Sequence, residues 1–430
     1  TSQKKIKFTV YDIDASTNYY SYDDVLLIIN SQSEASQMIG QYFSEARAIP
    51  ASRIVTISTA ENETISRQTF EQDIRLPIEQ FISDNNLNAD INYIVTTKGV
   101  PLRISADQTT ADHASVDSEL SLISGPYADK IGTANAIKNP YHQFDFPFSR
   151  EMFGIFLVTR LTGYTVNDVL TLIDRSAQPE QFGTFVPDDD PSKDNTAGFS
   201  IANQWLRDTA PILEEAGHFV FLDETNTFST DQTNVLGYDS WGSNDANDAD
   251  NARTHFVWLP GSIAETFVST SARTFTPPAI YGQSLIADLI AEGDTGAKGY
   301  VYEPFLNAMA KPDVLFDRYY SGYSLADSYF SASSNLSWQG VVVGDPKMAI
   351  SYNIQSLVID ANTGVDNGNN QTDQVTGASD PNTNPDTQQT SLNITTKGSG
   401  SLGPWAFMSL LLLLSFKLSR SRKMSAIKIF

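Results

Sequence analysis

Short runs of strongly apolar residues constrain this chain more than any other feature. They stand at Val25–Asn30 (VLLIIN), 53–58 (RIVTIS), 91–97 (INYIVTT) and Gly340–Val343 (GVVV). A strand with one wet face alternates apolar and polar residues. A strand that is apolar on both sides must be covered on both sides, the condition inside a parallel sheet flanked by helices. The stretches between these runs carry the helical period. Residues 33–48 place Met38, Ile39, Tyr42 and Phe43 along one side of a helix that Ser33 can cap. Residues 66–84 read as a second helix, which Pro77 must kink or divide. Helical patterns recur at 154–161, 166–176, 201–216 and 283–292, and further strands at 218–222, 233–238 and 297–301. The expected fold class is α/β, a doubly wound, mostly parallel sheet with helices on both faces. Sites in such sheets lie beyond the carboxyl ends of the strands, where the strand order reverses. The loops after Asn30, Thr97, Tyr238 and Val268 are therefore the ones to search.

Charge and residue usage exclude several chemistries. With 28 Lys and Arg against 51 Asp and Glu, the formal charge is −23. Nucleic acid is not an expected partner, because phosphate backbones are bound by basic surfaces. Cysteine is absent, which removes disulfides, thiolate-held metals and a cysteine nucleophile. The four histidines, His113, His142, His218 and His255, are too few and too scattered for a histidine-rich metal site.

The chain divides by composition. Residues 1–353 read as the globular domain, with an insertion at about 105–215. Residues 354–400 are rich in Asn, Thr and Asp and nearly free of aromatics, the composition of a flexible stalk. In the last segment, 401–430, an apolar run of 13 residues (404–416) precedes Lys417, Arg420, Arg422 and Lys423. That run is short for a bilayer, which takes roughly 20 residues. With Leu418 and local thinning, 404–418 can insert transiently in the inner membrane, and the cations hold its end on the cytoplasmic side. The chain opens at Thr1 without a signal-peptide pattern, so export is inferred from this other end.

The order of glycine-rich motif (Gly398, Gly400, Gly403), apolar run and basic end resembles the C-terminal sorting signals of Gram-negative bacteria. The resemblance implies a rhombosortase-type sorting protease and the secretion machinery as partners. It also implies display at the cell surface or release after C-terminal processing. A plain tail anchor or a buried terminal helix is the alternative.

Four constellations can carry chemistry. Lys98 and Arg103 flank the end of the third strand and can hold an anionic group, or serve as structural ion pairs. The run from Gly237 to Asn251 holds Trp241, Ser243 and Asn244 as ligand-binding candidates. Its Asp245, Asn247, Asp248 and Asp250 are oxygen donors for calcium, the one cofactor the sequence admits, although their spacing is not that of an EF-hand. Asp188, Asp189, Asp190 and Asp194 are a similar acidic group; an exposed acidic loop is the simpler reading of such runs. The segment Ser269-Thr270-Ser271-Ala272-Arg273 offers Ser269 or Ser271 as a nucleophile if a base stands beside it, and Arg273 as an anion contact. Glu303 follows the strand at 297–301 and can act as acid, base or ligand, or pair with Lys298 or Arg318.

Taken in order, YDDVLLIIN, RIVTIS, INYIVTTKGVPLRI, GQSLIADLIAE, GAKGY, LADSYFS and GVVVGDP resemble the gingipain-type peptidase domain, which has a caspase-like fold. The strings FGIFLVTRLTGYTV, SWGSND, STSARTF and KGYVYEPF resemble an uncharacterised bacterial family that often carries C-terminal sorting tails. Gingipain-type peptidases use a His-Gly after one strand and a Cys after the next. Here Trp241-Gly242 stands at the first position and Ser269–Ser271 at the second. The resemblance therefore implies the scaffold without the dyad: no cysteine peptidase, and a ligand- or peptide-binding module at the cell surface. One alternative is a hydrolase using a serine or a metal-bound water at the same cleft. A further alternative is a calcium-stiffened structural module of the envelope.

Overall fold

β1 (Val25–Asn30) sends Leu26 and Ile28 into one apolar cluster and Val25 and Leu27 into another. It thus has two covered faces, as its sequence requires. The computed structural model describes residues 21–350 except 106–112, 134–135, 197, 246, 248–252, 279–281 and 337. The stalk at 354–400, the segment 401–430 with its run at 404–418, and Asp248 and Asp250 lie outside the described residues. Among the described residues no helix is long and apolar enough to cross a membrane.

In chain order, the strands of the main sheet are β1, β2 (Ile54–Ile57), then, after the short β3 (Thr64–Ser66), β4 (Tyr93–Thr97). The short β5 (Arg103–Ser105), β6 (Ala114–Ser115) and β7 (Ile137–Lys138) lie apart from it. The main sheet continues with β8 (Leu157–Leu161), β9 (Thr184–Asp188), β10 (Phe219–Val220), β11 (Thr233–Ser240), β12 (Val257–Thr266) and β13 (Gly296–Tyr300). After β14 (Asn335–Leu336) comes β15 (Gly340–Val343). Ten strands pair in the order β10-β9-β11-β12-β13-β15-β8-β4-β1-β2. Every pairing is parallel except β13 with β15. Because β15 runs antiparallel to β13 but parallel to β8, the sheet consists of two parallel halves of opposite direction. Their carboxyl ends face opposite edges. The order reverses at β1, between β2 and β4, and again at β9, between β10 and β11. Residues 105–215, read above as an insertion, supply β8 and β9 to this sheet.

Local chemistry explains most elements. Helix α1 (Glu34–Ala46) begins at Ser33, whose hydroxyl accepts from Ser36 N–H, as expected. The helical region after Ser66 does divide at Pro77. A π-helical stretch (Phe70–Arg75) precedes α2 (Leu76–Asp84), which holds Pro77 in its first turn where no N–H is needed. One expectation fails, and one strand was not anticipated. Residues 154–161 are not a helix; β8 occupies 157–161 after Gly154 closes a short helix in the left-handed region at φ 70°. A short apolar run does not distinguish a buried strand from a buried helix, and Val158 and Thr159 favour the strand. β12 had no clear strand pattern because Pro260 and Gly261 interrupt it. The structure absorbs them as an irregularity: the pairing with β11 jumps from Trp258 to Ile263, and Gly261 takes φ 84° with a Cβ position only 2.4 Å from Pro179.

The two halves meet between β13 and β15, and on β8, the next strand, Arg160 is buried, 2% exposed. Its guanidinium donates to both carboxylate oxygens of Asp117 at 2.9 and 2.6 Å. It also donates to Val100 O at 2.7 Å and Pro101 O at 2.9 Å. Asp117 lies in α3 (Val116–Leu120). Breaking one side of a buried, fully hydrogen-bonded pair strands the other charge, at a cost of about 3–5 kcal/mol. Arg160→Met should therefore lower the unfolding free energy by about that amount in urea titrations. Replacing Asp117 with Leu in the same chain should recover part of the loss, and an additive double variant would contradict the pairing.

Candidate functional site

The loops after β11 and β12 are neighbours because those strands are adjacent and parallel. Asn244 Nδ2 donates to Phe267 O at 2.7 Å, and Gln283 Nε2 donates to Asn244 Oδ1 at 3.4 Å. Thr270 Oγ1 donates to Gln283 Oε1 at 2.9 Å. Ser243 and Ser284 exchange bonds, with Ser284 N donating to Ser243 Oγ at 2.8 Å and Ser243 N to Ser284 Oγ at 3.3 Å. SWGSND and STSARTF thus share one edge of the second half-sheet. Trp241 is not open to a ligand. Its Nε1 donates to Asn203 Oδ1 at 2.6 Å in α4 (Phe199–Glu215), and its ring packs edge-on to Phe199 and Phe267 beneath Lys193.

The serines differ in setting. Ser271 is 1% exposed, and its hydroxyl has no hydrogen-bond partner among the described residues. It packs on Gly299, where a Cβ would stand 2.8 Å from Ser271 Oγ. Ser269 lies at the surface, and its Oγ donates to Glu303 Oε1 at 3.0 Å. Glu303 stands beside Tyr302, on whose ring His113 stacks at 4.3 Å.

Lys98 and Arg103 serve as anchors. Lys98 Nζ donates to Gly163 O at 2.9 Å and Phe275 O at 2.8 Å, and burial lowers its pKa against the pull of Glu63 and Asp168. Arg103 donates to Thr64 Oγ1 at 2.8 Å and Arg273 O at 2.6 Å, with its guanidinium over the Tyr302 ring. Glu63 completes the clamp, accepting from Phe275 N at 2.6 Å and Thr274 Oγ1 at 2.7 Å. These bonds tie the segment after β12 to the first half-sheet. Arg273 Nη1 reaches Thr270 O at 3.3 Å.

Asp245 is buried and accepts from Asn247 N at 2.7 Å. Among the described residues no three carboxylate or imidazole groups are placed to hold a metal ion. Asp189 and Asp194 bind Arg207 at 2.5 and 2.9 Å, and Asp190 binds Lys193 at 3.1 Å.

A row of buried ionisable groups was not anticipated. Asp239 on β11 lies opposite Glu265 on β12, and Lys298 continues the row on β13. Lys298 Nζ donates to Tyr300 Oη at 2.8 Å, and Tyr300 Oη lies 3.5 Å from Glu265 Oε2. Burial, then Glu265, drives the Asp239 pKa well above the usual range, and neither of its oxygens has a partner among the described residues. Burial raises Glu265 and lowers Lys298. The sequence signal was a carboxylate inside an apolar strand, as in Asp239 of TNVLGYDS.

No protein-family model and no curated protein match the chain. A solved structure described as "Structure of Protease" is similar over 76% of this chain and 78% of its own, with 11% identity and a TM-score of 0.38. A likeness that low transfers neither fold nor function.

The buried carboxyls make stability depend on pH. Burial pushes Asp188 and Asp294 up to about 8. An unfolded chain releases those protons near pH ~4, so folding retains protons and stability falls as pH rises toward 8. His142 and His218, lowered to about 4 by burial, act in the opposite sense below their ordinary 6.5. Between about pH 6.5 and 8 the carboxyls act without that opposition. The melting temperature should drop across this window, and Asp294→Asn should shrink the drop; a flat profile in the parent protein would contradict the assignment.

Proposed function

We propose that the chain is a ligand- or peptide-binding module on a gingipain-like, caspase-type scaffold that has lost its nucleophile and base. Its resemblance-based sorting tail would place it at the bacterial surface. One observation carries the reading. At the two positions where the resemblance puts His-Gly and Cys, the indole N–H of Trp241 is committed to Asn203, and the Ser271 hydroxyl is buried with no hydrogen-bonding base among the described residues. A serine hydroxyl unaided by a base is a poor nucleophile. Ser243, Asn244, Ser269, Arg273 and Glu303 stand at this rim with bonds to the adjoining loops, and an extended peptide backbone offers the same kinds of donor and acceptor.

The 3.0 Å contact of Ser269 with Glu303 favours one second reading, a hydrolase with Ser269 as nucleophile. Incubating the purified protein with immobilised peptides and, in parallel, with fluorogenic peptide and ester panels separates the two. The binding reading expects capture without turnover, and Asn244→Ala or Arg273→Ala should weaken capture on the order of tenfold. Turnover that disappears in Ser269→Ala would replace it with the hydrolase.

A further inference from the structure

β10 closes one edge of the sheet, and its chemistry is unusual for an edge. Phe221 N donates to Phe185 O at 2.8 Å and Asp223 N to Pro187 O at 3.0 Å, so the odd residues turn their main chain toward β9. The alternation turns the N–H and C=O of Val220 and Leu222 outward, and among the described residues no main-chain partner stands beside them. Proteins normally protect such an edge with charge, proline or a covering element. Here the run is Phe219-Val220-Phe221-Leu222, with Phe219 72% and Phe221 42% exposed. Phe182, 63% exposed, lies two residues before Thr184, the partner of Phe219.

The surroundings of this apolar edge are acidic. Glu214 and Glu215 precede it, Asp223 and Glu224 follow it, and Glu180 lies near Phe182 in sequence; all but Asp223 are exposed. From Asp208 to Gln232 the chain has no lysine or arginine. The nearby cation, Arg207, is held by Asp189 and Asp194 and lies 3.8 Å from Glu224. A second copy paired edge to edge in the antiparallel sense would set acidic flank against acidic flank. An extended segment with an apolar centre and basic ends has no such conflict.

We infer that β10 is a docking edge for an extended peptide segment of another protein, apolar in its centre and flanked by lysine or arginine, which adds as a further strand. Main-chain bonds to Val220 and Leu222 supply the register, Phe182, Phe219 and Phe221 the apolar contact, and the glutamates the choice of partner. This inference does not depend on the function proposed above, since it concerns a different edge and no rim residue.

The probes are two fluorescent synthetic peptides that alternate valine and threonine, one with paired lysines at each end and one with paired glutamates. At neutral pH and low salt the lysine peptide should bind at least about tenfold more tightly than the glutamate peptide, the gain expected from several exposed charge pairs, and raised salt should reduce the gap. Phe219→Lys, at an exposed position that the fold does not need, should abolish binding of the lysine peptide. Val220→Pro, checked for folding by circular dichroism, should do the same. Hydrogen exchange should show the Val220 and Leu222 amides protected only with the peptide bound. Equal affinity for both peptides, no binding of either, or concentration-dependent dimerisation that Phe219→Lys removes would each overturn the inference.

Discussion

The guanidinium of Arg160 fixes the loop after β4, and through it the shape of the candidate site. It sits on β8, one strand from the boundary between half-sheets of opposite direction, and it bonds the carboxylate of Asp117 and the carbonyls of Val100 and Pro101 together. Only a planar, permanently charged fork with several donors can serve these acceptors at once, and lysine lacks that geometry. The loop held in this way contains Lys98 and leads into Arg103. Those two side chains, with Glu63, hold Arg273, Thr274 and Phe275. The shape of the segment after β12 is thus set by charges on the other half of the sheet. At the end of β15, Asp345 accepts from Arg47 at 2.7 Å and from Tyr22 at 2.8 Å, which gives the terminal Gly-Asp-Pro a structural task.

The protein is acidic outside and holds several carboxyl groups inside, and the two populations act differently. Exposed carboxylates around β10 remain solvated and select by charge. Asp239, Glu265 and Asp294 are fully buried, so desolvation favours their neutral forms. A neutral acid in an apolar strand costs less than a charge but still costs more than valine at the same place. Such groups contribute little to stability. They restrict which strands can lie side by side, because Asp239 tolerates Glu265 opposite it only while one of the two keeps its proton.

Much of the candidate site was legible by position and little of it by role. The carboxyl-end loops after Tyr238 and Val268 were marked by strand pattern alone, and they do converge through Asn244, Gln283 and Thr270. Lys98 and Arg103 looked like anion ligands because cations at a strand end often are. Their acceptors, Phe275 O and Arg273 O, lie some 170 residues onward and are invisible to local pattern. Ser269 and Ser271 are chemically identical in sequence, yet one reaches the surface and Glu303 while the other is sealed against Gly299.

Local pattern reveals which segments become strands and helices in most of the chain, that the strands need cover on both faces, and that no thiol chemistry is available. These are properties of residues and their near neighbours, so periodicity, capping at Ser33 and the break at Pro77 reveal them. Long-range contacts settle the rest: the sheet is two antiparallel halves, β8 and β12 are strands despite Gly154 and Pro260, and β10 lies at an open edge. Strand order and burial depend on which distant surfaces fit one another, and that energy appears only when residues far apart in the chain are brought into contact.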